Sequence, residues 1–292
     1  LQPALVDPSG DEGGTVLAIS VVEEVLAAAR AGDGQDAVDE AATRRLRHHG
    51  LAGTALWLAD RDGFAWRHDD ELDLVVRPDA RGRGLGTALA RAVVASPGAL
   101  SAWSHGDDPR ARSIAASLDF EAVRALWVMR RPLTDLAPVV VPPGASVRAY
   151  RDHDLGDRDA VLRINAAAFA HHPEQGGMDV TDMAERMAEP WWDPAGLLLA
   201  VDDASGEILG FHWTKRHSAS LGEVYVVGIS PAAQGRGLGK VLTLAGLHHL
   251  AEIGCTEVLL YVESDNLPAR AVYAGLGFDH ADADTHVQYQ RG

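Results

Sequence analysis

Two short stretches of this 292-residue chain have the composition needed to hold phosphate, and they are near copies of one another: Gln234-Gly235-Arg236-Gly237-Leu238-Gly239 and Arg81-Gly82-Arg83-Gly84-Leu85-Gly86. They lie about 150 residues apart, an ordinary domain length. Each follows an apolar, β-branched run that ends near a proline, Glu71 to Pro78 in one case and Glu223 to Pro231 in the other, and each opens a helical stretch. A strand, a glycine-rich turn and a helix N-terminus together make an anion site. The glycines let several backbone N–H groups crowd one anion, and the helix dipole favours negative charge there. Arg236 and Lys240 beside one copy, and Arg81 and Arg83 in the other, add local positive charge. The chemistry indicated is binding of a nucleotide-type cofactor, in a chain built by duplication.

The two strands feeding these turns differ in length. Six residues separate Glu71 from Pro78 and seven separate Glu223 from Pro231. One extra residue is the signature of a β-bulge. Gly228 is the residue expected to tolerate the bulged backbone best.

The rest of the chain must position these pieces. The first fifteen residues are rich in Gly, Asp and Pro and are expected to be poorly ordered. Helical spacing runs from Ile19 to Ala31 and from Ala37 to His49. Strands Thr54–Ala59 and Phe64–His68 flank the turn Asp60-Arg61-Asp62-Gly63. Strand Leu72–Arg77, the first glycine turn, helix Leu85–Ala95, strand Leu100–Ser104, a helix from Pro109 to Ser117 and strand Arg124–Arg130 follow. Pro138, Pro142, Pro143 and Gly144 mark residues 133–145 as a linker. The second half repeats the order, through strands at Val147, Leu197, Ile208, Val224 and Val258 and helices at Arg158, Leu238 and Pro268, to a last strand near Val287. The expected architecture is α/β (α+β): a domain over 16–132 and another over 146–292, each a mixed, mainly antiparallel sheet flanked by helices.

Composition narrows the classes of function. An apolar fraction of 47% supports a core in each half. No apolar run is long enough to cross a bilayer, and the N-terminus lacks a basic region followed by an apolar one, so no secretory signal is read. A single cysteine, Cys255, excludes an internal disulfide framework and suggests a reducing, cytoplasmic setting. A formal charge of −16 argues against nucleic acid and anionic membrane as partners. It leaves room for a nucleotide or CoA, which needs only a local basic patch. The adjacent pairs His48-His49, His171-His172 and His248-His249 lack the i, i+4 spacing of helical metal ligands, so no metal is expected. Trp191-Trp192 and Cys255 read as packing residues.

With the loops, strands and helices in place, the chain resembles the GCN5-related N-acetyltransferase (GNAT) superfamily. That superfamily carries Gln/Arg-x-x-Gly-x-Gly/Ala after its fourth strand, a pattern met by Gln234…Gly237…Gly239 and by Arg81…Gly84…Gly86. Asn266 and Tyr273 also stand at family-like positions. The segments from His171 to Gly177, from Gly210 to Lys215, from Gly222 to Val226 and from Leu260 to Asn266 resemble a narrower group, the tandem-domain mycothiol synthase family of actinobacteria. The resemblance implies acetyl transfer from acetyl-CoA to the cysteine amine of desacetylmycothiol, a cysteinyl-glucosaminyl-inositol, by a monomer.

Such a transfer needs a neutral amine, aligned reactants, a stabilised oxyanion and a protonated leaving thiolate. A free α-amine has a pKa of about 8, so a carboxylate that takes its proton accelerates attack. The resemblance gives Glu223 that role, although on sequence alone it reads equally as a solvated strand-start acid. It gives Tyr273 the role of proton donor to the thiolate, which suits a phenol that stays protonated at neutral pH; the alternative is a packing aromatic. It implies that Val227, Gly228 and Ile229 meet the acyl arm, with a backbone N–H turned by the bulge as oxyanion donor. Gln234 to Lys240, Asn266 and Arg270 would hold the rest of CoA. Glu174, Lys215, Tyr261 and, from the first half, Glu40 would face the acceptor.

Aligning Phe120 with Phe278 sets Ala115 opposite Tyr273 and Asp108 opposite Asn266. The first half therefore lacks the phenol. Its Val75, Val76, Arg81, Gly82, Arg83, Gly84 and Gly86 either bind a second CoA or serve as scaffold. Two rival readings stay open: a tandem acetyltransferase for another amine, such as a peptide N-terminus or an aminoglycoside, and a non-catalytic CoA-binding sensor.

Overall fold

Alternation along a strand sends successive side chains to opposite faces, so the apolar pattern of each strand decides what covers it. The computed structural model describes residues 2–6, 12–170 and 175–292. The chain forms two compact units, Leu1–Trp127 with Asp282–Gly292, and Val128–Ala281.

In chain order the elements are β1 (Ala4–Val6), α1 (Glu12–Asp33), α2 (Glu40–His49), β2 (Ala55–Leu58), β3 (Gly63–His68), β4 (Glu71–Val76), α3 (Leu85–Val94), β5 (Leu100–Ser104), α4 (Pro109–Ser117) and β6 (Glu121–Pro132). The second half continues with β7 (Ala145–Ala149), α5 (Leu155–Ala168), α6 (Val180–Met187), β8 (Leu197–Asp202), β9 (Ile208–Arg216) and β10 (Leu221–Ile229). It closes with α7 (Leu238–Glu252), β11 (Glu257–Glu263), α8 (Leu267–Gly275) and β12 (Asp279–Arg291).

Within the first unit the strands run β1-β2-β3-β4-β5-β12. All neighbours there are antiparallel except β4 and β5. Within the second the order is β7-β8-β9-β10-β11, again antiparallel except for the last pair. The duplication read from the glycine turns is thus a duplication of topology. Each unit is the mixed, mainly antiparallel α/β layer expected.

Both faces of each sheet are covered. In the first unit Phe64 and Trp66 of β3 pack with Val21, Val22 and Val25 of α1, while Ala65 between them faces the core of α3 around Leu89 and Val93. In the second unit Phe211 and Trp213 of β9 pack with Val161 and Ile164 of α5. Leu209 lies on the opposite side with Leu238 and Leu242 of α7. Each such fully buried large side chain contributes about 1.5–3 kcal/mol. His212, between Phe211 and Trp213, faces α7, where its Nδ1 lies 2.8 Å from the Leu242 carbonyl. It has no exposure, and burial lowers its pKa to about 4.

Several expectations are displaced. Ala4–Val6, placed in a poorly ordered terminus, pairs with β2, and α1 begins at Glu12, not near Ile19. Helix α6 carries little apolar periodicity, since only Met183 of its eight residues is buried. It is held by a capping box in which the Asp179 carboxylate accepts from Asp182 N and the Asp182 carboxylate accepts from Asp179 N. Residues Asp282–Gly292, assigned by sequence to the second half, belong to the first unit through antiparallel pairing of β12 with β5, Val287 facing Ser104. No helix among the described residues is long and apolar enough to cross a membrane.

Candidate active site

The two glycine turns share one backbone form. Gly235 and Gly237 have φ of +79° and +76°, and Gly82 and Gly84 have +75° and +80°. Side chains avoid that region, so the turn requires glycine. A Cβ built at any of the four would meet nothing within 4 Å, which leaves open space over the loop for a ligand. Gly237 and Gly84 are the N-caps of α7 and α3, and neither helix end is satisfied by a capping side chain. Their first N–H groups are therefore available to an oxyanion.

The flanking cations differ between the units. Arg81 is committed within its own unit: its guanidinium grips the Asp33 carboxylate at 2.7 and 2.5 Å and donates from Nε to the Val76 carbonyl at 3.0 Å. This pairing holds Asp33 below the usual carboxylate range. Arg83 donates to the Asp79 carbonyl at 2.8 Å. At the second turn Gln234 and Lys240 are exposed, and Arg236 stands 3.6 Å from Asp202.

Strand β10 carries the bulge implied by its extra residue, but not at Gly228. The register against β9 shifts between Val224 and Val226, so Tyr225 is the inserted residue. Gly228 lies in regular pairing with Phe211, and a Cβ there would come within 2.6 Å of the Phe211 ring. Close packing, not bulged geometry, is what Gly228 serves. The matching strand of the first unit is regular from Glu71 to Val76. Strand β10 pairs with β11 only from Leu221 to Glu223, among the described residues, and then continues to Ile229 against β9. Val227, Gly228 and Ile229 thus lie beyond the point where the parallel pairing ends.

Glu223 stands where that pairing ends, directly opposite Lys215 and beside Leu259. It is buried, 5% exposed, and the solvated strand-start acid is thereby excluded. Its Oε2 lies 2.6 Å from His217 Nε2, a partner that sequence reasoning did not single out. The Lys215 ammonium sits over the rings of Trp191 and Tyr225 at 5.3 and 5.4 Å, within cation–π range. Trp191 packs edge-on to Tyr225, and Trp192 edge-on to Trp213, so the tryptophan pair does pack, yet it also walls the Lys215 side of the site. The Tyr225 hydroxyl accepts from Arg186 Nε at 2.8 Å.

Helix α8 supplies the remaining groups. Asn266 is its N-cap and accepts from Ala269 N at 3.1 Å. Arg270 donates to the Ser264 carbonyl at 2.5 Å. Tyr273 is half-buried with its ring edge-to-face against Phe278, and burial raises its phenol above the ordinary value. Tyr261 on β11 is exposed. Glu40 begins α2 of the first unit and is half-buried. Glu174 lies outside the described residues. Cys255 is buried, with its thiol pushed up by burial, as expected of a packing cysteine.

Comparison with known proteins places the chain among relatives of the same fold. The acetyltransferase (GNAT) family model matches residues 164–278. The mycothiol acetyltransferase of Nocardioides sp. (strain ATCC BAA-499 / JS614) is 57% identical, covering 94% of this chain and 97% of that protein. The mycothiol acetyltransferase of Nocardia farcinica is 49% identical over 90% of this chain and 91% of its own. Among solved structures, a tandem GNAT protein from the clavulanic acid biosynthesis pathway superposes with a TM-score of 0.70 at 21% identity, covering 99% of this chain and 98% of that one. At that identity the likeness speaks for the fold.

Proposed function

This chain belongs to the mycothiol acetyltransferase family of the GNAT acetyltransferases, and from that premise we propose that it acetylates the cysteine amine of desacetylmycothiol, with acetyl-CoA as donor, in the cytoplasm and as a monomer. The family makes it an acyltransferase; the acceptor and the residue roles are the proposal.

The second unit is the one proposed to carry the chemistry. Bound acetyl-CoA supplies an acetyl group activated as a thioester. Gln234 to Lys240 would hold its diphosphate, chiefly through the amides from Gly235 onward, in a cradle that any Cβ at Gly235 or Gly237 would begin to fill. Val227, Gly228 and Ile229 would line the acyl arm, with Asn266 and Arg270 on the other side. Glu223 would take the proton of the attacking amine. Tyr273 would return a proton to the departing sulfur, a task suited to a phenol kept protonated by burial. Lys215, Tyr261 and Glu174 would meet the hydroxyls of the acceptor. The first unit keeps a cradle of the same backbone form but has a regular strand and no phenol at the matching helix position. Its Val75, Val76, Arg81, Gly82, Arg83, Gly84 and Gly86 are proposed to hold a second, non-reacting CoA, Arg81 by bracing the turn through Asp33 and the Val76 carbonyl.

The observation that carries this reading is a buried carboxylate at the head of the bulged strand whose tail is the glycine cradle. The test is direct. Purified protein with acetyl-CoA and desacetylmycothiol should give a product heavier by one acetyl group, with release of one CoA thiol. Faster transfer to a peptide N-terminus or an aminoglycoside would overturn the acceptor. Absence of acceptor-dependent thiol release would overturn the enzyme.

A further inference from the structure

We infer that His217 is a positioning residue for Glu223: by donating from Nε2 to Oε2 it orients the carboxylate and reserves Oε1 for the amine. This rests on the reading of Glu223 as proton acceptor. The two side chains meet at 2.6 Å, and they are 19% and 6% exposed. An ionised carboxylate can only accept, so the facing ring nitrogen carries the hydrogen. A charge-assisted bond of this kind is among the stronger ones. In a buried site it replaces the water that would otherwise solvate one oxygen.

The histidine is held where it is. It opens the β9–β10 turn, and its backbone N–H donates to the Leu221 carbonyl at 2.9 Å. Arg216 clamps the same turn by donating to the carbonyls of Ser218 and Ala219 at 3.0 and 3.2 Å. The Ser218 hydroxyl oxygen accepts from the amides of Ser220 and Leu221. The Ser220 carbonyl accepts from Thr256 and Glu257. A turn so fully bonded leaves its first side chain little freedom.

The duplicated unit supplies an internal comparison. There His68 at the end of β3 faces Glu71 at the start of β4 across a turn of only Asp69 and Asp70, and its Nε2 lies 2.8 Å from the Asp73 carboxylate. The longer turn, which carries His217 to Glu223, occurs in the unit that also keeps the phenol of Tyr273.

The experiment compares kcat and KM of His217→Ala and His217→Gln with those of Glu223→Gln, using acetyl-CoA and desacetylmycothiol. Loss of a hydrogen bond to a charged group should lower kcat about 10- to 100-fold in His217→Ala, with KM for acetyl-CoA unchanged. Glutamine places an N–H close to the position of Nε2, so His217→Gln should recover most of that loss. If His217→Ala does not fold, His217→Asn takes its place, because its amide stops at the position of Nδ1. Full turnover without the histidine, or equal impairment of the alanine and glutamine variants, would overturn the inference. Full turnover of Glu223→Gln would instead remove the base on which it rests.

Discussion

Tyr273 and Ala115 accept the same hydrogen bond: each backbone carbonyl takes the amide of a phenylalanine five residues on, Phe278 and Phe120, at 3.0 Å. The helices carrying them start alike too, with Asn266 and Asp108 as side-chain N-caps. One backbone position therefore presents a phenol in the second unit and a methyl group in the first. The Tyr273→Phe variant should lose roughly 10²- to 10⁴-fold in kcat, with KM for acetyl-CoA and the melting temperature nearly unchanged. Because burial raises the phenol, any loss of rate from its deprotonation should set in above about pH 10. Steady-state rates across pH check both statements.

The cradle offers a second test. Gly237→Ala puts a methyl group on a left-handed backbone, at a cost of about 1–2 kcal/mol. It adds no clash within the protein. A modest fall in urea midpoint together with a large rise in KM for acetyl-CoA is the expected result. Calorimetric titration with acetyl-CoA would also show whether one or two equivalents bind.

Gly228 should respond differently. Its Cβ would press into Phe211, which is fully buried. Gly228→Ala is expected to destabilise the second unit by about 1–3 kcal/mol, the cost of overpacking. Adding Phe211→Leu should restore part of that loss. Urea unfolding of the single and double variants separates packing from catalysis.

His212 predicts an acid-sensitive fold. Its pKa is about 4 in the folded protein against 6.5 as the ordinary value. Between these values the unfolded chain binds the proton and the native state does not. Stability is therefore full above about pH 6.5 and declines toward pH 4, by about 3 kcal/mol for this group. Urea midpoints at pH 7 and pH 4.5 should differ less in His212→Gln than in the parent.

Much of this architecture was legible because the informative residues act locally. Paired glycines between a β-branched run and a helix fix a turn by backbone sterics alone, so both turns lie where the sequence places them. The residue count before each turn revealed that a bulge exists. It could not say that Tyr225 is the inserted residue, because register depends on what β9 offers opposite. His217 escaped notice for a related reason. Its meaning comes from a hairpin that folds it back on Glu223, and a histidine six residues upstream of a glutamate carries no local signal. The polar start of β12, Asp279 to Thr285, likewise reads as loop and becomes strand within the sheet.

The pairing of β12 with β5 has a bearing on biogenesis. Val287 to Arg291 are made more than 180 residues after their partners Leu100 to Ser104. The first unit must wait, its β5 edge open, until that segment has been made. Cutting the gene at the proline-rich segment should consequently yield a leading fragment prone to aggregation, which co-expression of the remainder would rescue.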